Sequence, residues 1–395
     1  MSAPVNKRVT IREVAAAAGV STATVSRVLT GEPGIGAATT ASVLETARRL
    51  QYRPSAAARR LRTRSSSLLG VVVQSLGDGY VGEVVLGIQS RARDHGFRPL
   101  FFVSEGQTRL EAEAVDVFLS EQVQEFICVS PTQKPHILRK AVDNGFHVSV
   151  VNWDPNISAG LFDDIERGSA KNTARFGSHS VEKSIWEVKF DDLGAGMLAT
   201  NHLLALGHRK LAHVRGPNVR SSLLRLLGFR RALEAASLWP QPVVVAEDPV
   251  LEARELAIAD FLRRQHPPLG IVAYDDLSAV AALRAANLEG WRVPEDLSVV
   301  GIDDIPFAAY TNPGLTSVAQ PKPELGALAV DLVLAGSDEP PLPRVLDGHL
   351  VVRQSTASVS RKPDGGAIRR PSRKAVPATT GAADRTRSRR GNGVT

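Results

Sequence analysis

Short apolar runs alternate with helix-length segments through most of the chain, from Leu68 to Thr356. The runs are rich in Val and Ile and begin at Leu68, Arg98, Glu125, His147, Lys210, Pro242, Leu269 and Leu297. Such runs are typical of strands buried on both faces of a parallel sheet, and the segments between them are typical of crossover helices. Because this many units exceed one open sheet, the pattern predicts an α/β core, residues 66–356, with two parallel-sheet subdomains and a cleft between them.

Two segments depart from this alternation. Residues 155–187 are mostly polar and have no apolar periodicity, which predicts a long surface loop inside the core. The C-terminal segment, residues 357–395, is basic from Arg361 onward and rich in Arg, Gly, Pro, Ser and Thr. It cannot bury enough apolar surface to offset the entropy lost on ordering, so we expect a disordered tail.

The charge of the chain is concentrated at its ends. Residues 1–65 hold eleven Lys/Arg and three Asp/Glu, residues 66–360 hold twenty-seven and thirty-six, and residues 361–395 hold ten and two. Basic ends around an acidic middle indicate contact with a polyanion at an end. The single cysteine, Cys128, excludes an internal disulfide and any CxxC site. There is no signal-like start and no run of about 18 apolar residues, so we expect a cytoplasmic protein without a membrane partner.

The basic N-terminus has the pattern of two short helices joined by a tight turn. Thr10 and Glu13 form a capping box, Gly19 stands where a left-handed residue ends a helix, and Ser21 can cap a second helix that runs to about Leu29. This spacing is typical of a helix-turn-helix, whose second helix fits the major groove of DNA, although helical pairs also occur as plain packing units. The excess positive charge favours DNA binding.

These residues closely resemble a known family. VTIREVAAAAGVSTATVSRVLTG, followed by YRPSAAARRLRT, is similar to the DNA-binding headpiece and hinge of the lactose-repressor/galactose-repressor (LacI/GalR) family of bacterial transcription regulators. In the core, ATNHLLALGHRKLAHVRGP, RLLGFRRAL, VPEDLSVVGIDD, NPGLTSVAQPKPELG and LVVRQST resemble the family's segments in the family's order. The resemblance implies an all-α headpiece at residues 1–54, a hinge helix and linker at 55–65, and a core like that of periplasmic binding proteins, which binds an effector and dimerises.

The resemblance also assigns contacts to double-stranded DNA. Base edges would be met by Thr22, Ala23 and Arg27, and phosphates by Ser21, Thr24 and Ser26, with Thr10 at the start of the first helix. The fork of Arg27 suits the O6/N7 edge of guanine. In the hinge, Leu61 would open a base step in the minor groove, with Ala58 beside it and Arg59 and Arg62 supplying charge; a solvated linker is the alternative. Gly36, Thr40 and Ser55 depart from the family's usual residues and weaken a cap and a phosphate contact.

Ligands of open α/β sheets bind beyond the carboxyl ends of the strands. The candidates at these ends are Ser75, Asp78, Tyr80, Asn152, Trp153, Asp154, Tyr274, Asp275 and Asp276. The resemblance adds Arg225 and Gln320, supports Asp276, and places Asp275 where the family usually has Asn. Arg and Asp side chains facing each other suit vicinal hydroxyls or another small polar metabolite. Trp153 fits either a stacking platform or loop core, and we expect the acids Asp191, Asp192, Asp303 and Asp304 to cap helices.

Two functions from other classes compete with this interpretation. The segment Gly77–Gly82, GDGYVG, follows a strand as a dinucleotide fingerprint does, which favours an NAD-binding enzyme, although Leu76 and Tyr80 crowd it with bulk. A solute-binding protein of a transport system would share the fold of the core, but it would lack the headpiece. The nine histidines have no metal-ligand spacing, and no catalytic triad emerges, so we expect no metal, cofactor or catalysis. The sequence therefore predicts a homodimeric repressor on a near-palindromic operator, with the sign of the effector's action left open.

Overall fold

A computed structural model of the chain describes residues 9–30, 32–52, 67–131, 136–153, 185–217, 219–248, 250–335 and 343–359. The predicted hinge, most of the predicted loop at 155–187 and the chain beyond 359 lie outside these residues.

The N-terminal unit consists of three helices, which are α1 (Ile11–Ala18), α2 (Thr22–Thr30) and α3 (Ala37–Arg49). Each helix contributes apolar side chains at three- or four-residue spacing to one small core. The buried members are Val14, Ala15, Val25, Val28, Val43 and Ala47. With so few buried side chains, the placement of α2 depends on a handful of Val contacts.

The first subdomain of the core contains a six-stranded sheet with alternating helices. Its elements up to the first crossover are β1 (Leu68–Val73), α4 (Gly79–Asp94), β2 (Arg98–Val103), α5 (Thr108–Ser120), β3 (Glu125–Val129), α6 (His136–Asp143), β4 (His147–Val151) and β5 (Ile185–Phe190). The central strands are buried along nearly their whole length, as their Val and Ile content predicts. Four of the five strand pairings in this sheet, those joining β11 to β5, β5 to β4, β4 to β3 and β3 to β1, are parallel.

The second subdomain repeats this plan. Its elements, with those that return to the first sheet, are α7 (Asp192–Ala205), β6 (Leu211–Arg215), α8 (Arg220–Ala235), β7 (Val243–Val245), α9 (Leu251–Leu262), β8 (Leu269–Ala273), α10 (Asp276–Leu288), β9 (Leu297–Asp303), a 3-10 helix (Pro306–Tyr310), β10 (Thr316–Ala319), α11 (Lys322–Ala335), β11 (Arg344–Leu346) and β12 (His349–Val351). Its sheet has the order β12-β10-β9-β8-β6-β7 and is parallel except for β12. The prediction of two parallel-sheet subdomains is confirmed.

Three connections in the described part of the core pass between the subdomains. They follow β5, β10 and β11, so that α11 and β11 belong to the first subdomain although they come late in the chain. α11 packs closely on α4. The approach is so close that a Cβ at Gly87 would overlap the carbonyl oxygen of Pro323, and a Cβ at Gly326 would overlap that of Val84. Glycine at both positions lets the two helices approach at backbone distance.

The structure corrects two of the predicted boundaries. The loop prediction for 155–187 is wrong at its end, because Ile185 and Trp186 are buried in β5. The charged pair of Glu187 and Lys189 interrupts the apolar run and conceals the strand. The tail prediction is wrong at its start, because residues 357–359 belong to the core: the amide of Val359 donates to the carbonyl of Leu206 at 2.8 Å.

Candidate DNA-binding surface and ligand cavity

The caps predicted for the first two helices are present. The amide of Thr10 donates to Glu13 Oε2 at 2.6 Å, and the amide of Glu13 lies 3.4 Å from Thr10 Oγ1, so the capping box is complete. Gly19 is left-handed with φ 67°, as the turn requires. The amide of Thr24 donates to Ser21 Oγ at 3.0 Å, which caps α2.

One face of α2 is directed outward. Val25 and Val28 are buried, whereas Thr22, Ala23 and Arg27 are exposed. Thr24 and Ser26 are half-buried, and Thr10 and Ser21 are exposed. All seven residues predicted to contact DNA through the headpiece therefore lie at or near its surface. The predicted hinge contacts Ala58, Arg59, Leu61 and Arg62 lie outside the described residues.

The departure at Gly36 has the expected structural effect. Gly36 is the N-cap of α3, and no side chain supplies a hydrogen bond there. The first turn of α3 thus lacks the hydroxyl acceptor that the family usually places at this position.

A cavity of about 260 Å³ lies between the two subdomains of the core, at the carboxyl ends of their strands. The predicted residues that line it are Ser75, Asp78, Tyr80, Asn152, Trp153, Arg225, Tyr274, Asp275 and Gln320. Asp154 lies outside the described residues. The cavity therefore brings together nine of the eleven sequence candidates, eight of them at strand ends and Arg225 from α8.

Arg225 is the centre of a buried charge cluster at this cavity. Its Nε lies 2.9 Å from Asp192 Oδ1 and its Nη2 lies 3.1 Å from Asp303 Oδ1, while Nη1 donates to the carbonyl of Tyr274 at 2.6 Å. The guanidinium carbon is 5.1 Å from the centre of the Tyr274 ring, which is cation–π distance. Burial raises the pKa of Asp303, and the positive charge of Arg225 opposes that rise.

The first subdomain contributes a hydrogen-bonded pair to the cavity. Asn152 Nδ2 donates to the hydroxyl of Tyr80 at 2.6 Å, and the amide of Phe190 donates to Asn152 Oδ1 at 2.7 Å. Burial, followed by the negative charges of Asp192 and Asp303, raises the pKa of Tyr80, so its phenol stays protonated. The cavity therefore offers a hydroxyl that can both donate and accept.

Trp153 lines the same wall and is 7% exposed. Its Nε1 atom is buried and has no hydrogen-bond partner among the described residues. Trp153 therefore fits both interpretations, loop core and stacking platform, since its ring is packed and also faces the cavity.

The structure does not place Asp276 in the cavity. Its carboxylate is 1% exposed and accepts hydrogen bonds from Ser317 Oγ at 2.6 Å and from the amide of Ile305 at 2.8 Å. Burial raises the pKa of Asp276 to about 7. The preceding residue, Asp275, lines the cavity instead and caps α10 by accepting from the amide of Ser278 at 2.6 Å. The acid at this point is therefore Asp275, because Asp276 turns toward the sheet.

Only one of the four acids expected to cap helices does so. Asp191 caps α7 by accepting from the amide of Gly194 at 2.9 Å. Asp192 pairs with Arg225 and with Arg220 at 2.5 Å, and Asp303 lines the cavity. The remaining acid, Asp304, pairs with Arg353 at 2.6 Å.

Several lining residues were not among the sequence candidates. They are Gln74, Val81, Ser130, Pro131, Pro217, Val219, Arg220, Ser221, Arg254 and Asp303. Half of them lie at strand ends, where the strand-end rule could have found them: Gln74, Ser130, Pro131 and Pro217 closely follow β1, β3 or β6, and Asp303 ends β9. Arg254 lies inside α9 and carries no such signal. It is 9% exposed and its Nη1 lies 3.5 Å from Asp275 Oδ2, so it balances the charge that Asp275 adds.

The GDGYVG segment does not have the geometry of a dinucleotide fingerprint. The carboxylate of Asp78 accepts from the amides of Tyr80 at 2.8 Å and Val81 at 3.4 Å, and so takes the N–H groups that a pyrophosphate would need. A Cβ at Gly82 would meet no atom within 4 Å, so no close helix packing depends on that glycine.

The described residues form no helix that is both long and apolar enough to cross a membrane. Their His, Cys, Asp and Glu side chains form no group of three or more that could hold a metal ion.

Comparison with known proteins matches both parts of the chain. A family model for bacterial regulatory proteins of the lacI family covers residues 10–55, and one for a periplasmic binding protein-like domain covers residues 200–356. The chain is 28% identical to the HTH-type transcriptional repressor CytR of Escherichia coli (strain K12) over 358 residues, which cover 89% of this chain and 97% of CytR. It is 30% identical to the HTH-type transcriptional regulator CelR of Thermobifida fusca over 360 residues, which cover 88% of this chain and 98% of CelR.

A solved structure agrees with these matches. The Lac repressor dimer bound to operator and the anti-inducer ONPF has a TM-score of 0.75 and 25% identity, and the match covers 89% of this chain and 100% of that one. These three relatives are regulators of transcription by name. The chain belongs to the lacI family of bacterial regulatory proteins.

Proposed function

We propose that the protein is a sequence-specific DNA-binding transcriptional regulator, acting as a repressor, and that a small polar ligand controls its affinity for DNA. The observation that carries the proposal is the combination, in one chain, of an outward-facing α2 and a cavity built around the Arg225 charge cluster. CytR and CelR are named as transcriptional regulators, and the Lac repressor structure holds both an operator and an anti-inducer, which supports both halves of the proposal. A protein that acts on operator DNA works in the bacterial cytoplasm.

The headpiece contacts the operator through α2. Thr22, Ala23 and Arg27 meet base edges, and the guanidinium of Arg27 contacts O6 and N7 of a guanine. The small side chains of Thr22 and Ala23 fit beside a thymine methyl group. Phosphates are met by Thr10, Ser21, Thr24 and Ser26.

The protein works as a homodimer on a near-palindromic operator, because a two-fold axis presents one half-site to each headpiece. The hinge residues Ala58, Arg59, Leu61 and Arg62 enter the minor groove at the centre of the operator, where Leu61 opens a base step.

The ligand is a small metabolite with vicinal hydroxyls, such as a single sugar. A cavity of about 260 Å³ lies just below the usual size range for ligand sites, which favours a small ligand. Its walls present donors from Arg225 and acceptors from Asp275 and Asp303, and the Tyr274 and Trp153 rings offer apolar faces for a sugar ring. Ser75, Asp78, Tyr80, Asn152 and Gln320 complete the contacts. The ligand is bound and released unchanged, because the protein is a binding regulator and not an enzyme.

The proposal is tested in two steps with the full chain. First, the protein selects DNA from a random duplex library, and we expect enrichment of a near-palindromic site. Second, a thermal-shift screen of monosaccharides and polyols identifies ligands, and each hit is added to a titration of the selected duplex. A hit should change the operator affinity at least five-fold. Failure to enrich any sequence, or hits that leave DNA affinity unchanged, would overturn the proposal.

The variant Asp275→Asn separates ligand contact from folding. Asn caps a helix about as well as Asp, so α10 should keep its cap. Arg254 loses its ion pair but keeps its hydrogen bonds to the carbonyl of Asp248 and to Ser278 Oγ, so the melting temperature should fall only slightly. The loss of one carboxylate from the cavity wall should change the ranking of hits in the same screen. An unchanged ranking would remove Asp275 from the ligand site.

A further inference from the structure

Arg27, the base-contacting candidate on α2, has an acidic neighbour. Its Nε lies 3.2 Å from Glu32 Oε2, and the two side chains are 52% and 47% exposed. The amide of Glu32 donates to the carbonyl of Arg27 at 3.0 Å, which is the six-to-one bond of a helix C-terminus. This backbone hydrogen bond holds Glu32 next to Arg27, so their ion pair does not depend on the conformations of two long side chains alone.

The turn after α2 also lies close to a second nitrogen of the Arg27 guanidinium. A Cβ at Gly34 would lie 3.8 Å from Arg27 Nη2, and Gly34 has φ 99°. A residue with a side chain would be strained at this φ. The Arg27 guanidinium thus has the Glu32 carboxylate near Nε and the backbone of position 34 near Nη2.

We infer that Glu32 is a positioning residue, which orients Arg27 toward a base edge and lowers the affinity of the headpiece for DNA of other sequences. The inference rests on the proposed function. The ion pair uses Nε, whereas a bidentate contact with guanine O6 and N7 is made by the two terminal nitrogens. Arg27 can therefore meet a guanine while it keeps its contact with Glu32.

The two effects of Glu32 act on different DNA. A carboxylate beside the DNA surface repels phosphates at every sequence, so it weakens non-specific binding. The orientation of Arg27 strengthens binding only where a guanine is in reach. Glu32 therefore raises the ratio of specific to non-specific affinity, even though an exposed ion pair of this kind contributes little to folding stability.

The test uses the full chain, the duplex that the wild type selects from a random library, and a scrambled duplex of the same length and composition. Glu32→Gln should weaken binding to the selected duplex by about two- to five-fold, which is the range of an exposed ion pair. It should strengthen binding to the scrambled duplex, because one negative charge is removed. Replacement of each guanine of the half-site by adenine should cost less in Glu32→Gln than in the wild type at the one position that Arg27 contacts.

Glu45 provides a matched control. It is exposed on α3, and Glu45→Gln removes the same charge from the same unit. This variant should strengthen binding to both duplexes in parallel and leave their ratio unchanged. In an Arg27→Ala background, Glu32→Gln and Glu45→Gln should have the same effect, since no guanidinium is left to orient.

The outcomes separate this inference from the proposed function. If Glu32→Gln changes the two affinities in the same proportion as Glu45→Gln, Glu32 does not position Arg27, while DNA binding by the headpiece stands. If the guanine preference is equally strong in Glu32→Gln and the wild type, the inference is likewise wrong. If the wild type enriches no sequence, the proposed function itself fails.

Discussion

The ammonium group of Lys322 lies 2.7 Å from the carboxylate of Glu83, and this ion pair joins the start of α11 to α4. Lys322 is 3% exposed and also donates to the carbonyl oxygens of Asp303 and, at 3.0 Å, Asp304. Asp303 lines the cavity and ends a strand of the second subdomain, whereas α4 belongs to the first. The buried ammonium group of Lys322 therefore joins the first subdomain, through Glu83, to the end of a strand of the second subdomain that lines the cavity.

Replacement of this cation should destabilise the core. Lys322→Met removes one donor from each of the two carbonyls, of which that of Asp303 keeps the amide of Gln320 at 3.4 Å, and it leaves Glu83 without its cation. We expect the free energy of unfolding to fall by about 1.5–3 kcal/mol. Urea unfolding followed by tryptophan fluorescence measures this, since all described tryptophans lie in the core. The control is Lys140→Met, which breaks a more exposed pair with Asp116 and should cost less than about 1 kcal/mol. Equal losses of unfolding free energy in the two variants would mean that the buried Lys322 stabilises the core no more than the more exposed Lys140 does.

Arg225→Ala should be more damaging still. Asp192 is fully buried and Asp303 nearly so, and the variant leaves both without Arg225, at a cost of about 3–5 kcal/mol. Arg220→Ala is the comparison, because Asp192 then keeps Arg225, and the loss should be clearly smaller. The same urea titration decides this, and a loss below about 1 kcal/mol in Arg225→Ala would show that the cluster does not need its cation.

The strands were the most predictable part of the fold. The Val-rich runs at β1, β3, β8 and β9 are buried from end to end or nearly so, and a strand covered on both faces leaves its signature in every residue. β5 was missed because Glu187 and Lys189 neutralise each other within the sheet, and a pairing of this kind is visible only once the chain has folded.

The sequence predicted at which strand ends the ligand cavity lies, but not which of the neighbouring side chains enter it. Asp275 and Asp276 are neighbours, yet one lines the cavity and the other faces Ser317, because Asp275 is the extended N-cap of α10 whereas Asp276 is its first helical residue. The position of Arg254 depends on how α9 packs on α10, a tertiary contact that no local pattern encodes. Sequence patterns thus located the site, and packing decided which charges enter it.

The headpiece should gain stability from a hydroxyl at position 36. Gly36 has φ −60° and ψ 145°, which any residue adopts, and a Cβ there would meet no atom within 4 Å. Gly36→Ser supplies the missing cap and reduces the entropy of the unfolded chain, so we expect a gain of about 0.5–1 kcal/mol. Amide hydrogen exchange of α3 in the full chain should slow by about three- to five-fold. Gly36→Ala separates the two contributions, because it adds the Cβ without the hydroxyl; no slowing in either variant would contradict the expectation.

Removal of the basic tail tests its contact with phosphates. Residues 361–395 carry ten Lys/Arg, and they lie outside the described residues. If the tail touches DNA, deletion should make the logarithm of the DNA association constant less steep against the logarithm of salt concentration, by about one for each lost phosphate contact. Titrations at several salt concentrations measure this slope. An identical slope in the truncated and full chains would exclude a role in DNA affinity.

His213 makes the stability of the core depend on pH. It is fully buried in β6, with its ring centre 5.3 Å from that of Phe229, and its ring nitrogens have no hydrogen-bond partner among the described residues. Burial, followed by the positive charges of Arg225 and Arg215, lowers the pKa of His213 to about 3. The folded protein therefore holds this imidazole neutral at a pH where the unfolded chain already binds a proton.

Acid should destabilise the protein through this histidine. In the unfolded chain its pKa is about 6.5. Between that pH and about pH 3 the unfolded state therefore binds more protons than the folded state, so the free energy of unfolding decreases as the pH is lowered. His213 should account for about 2 kcal/mol of the loss between pH 8 and pH 5. Urea titrations at both pH values should show that His213→Leu loses about 2 kcal/mol less than the wild type. The remaining loss includes His202 and His208, whose pKa values burial also lowers. His349→Leu, at an exposed position of β12, should keep the wild-type difference; if His213→Leu keeps it too, His213 is already protonated or already solvated in the folded core.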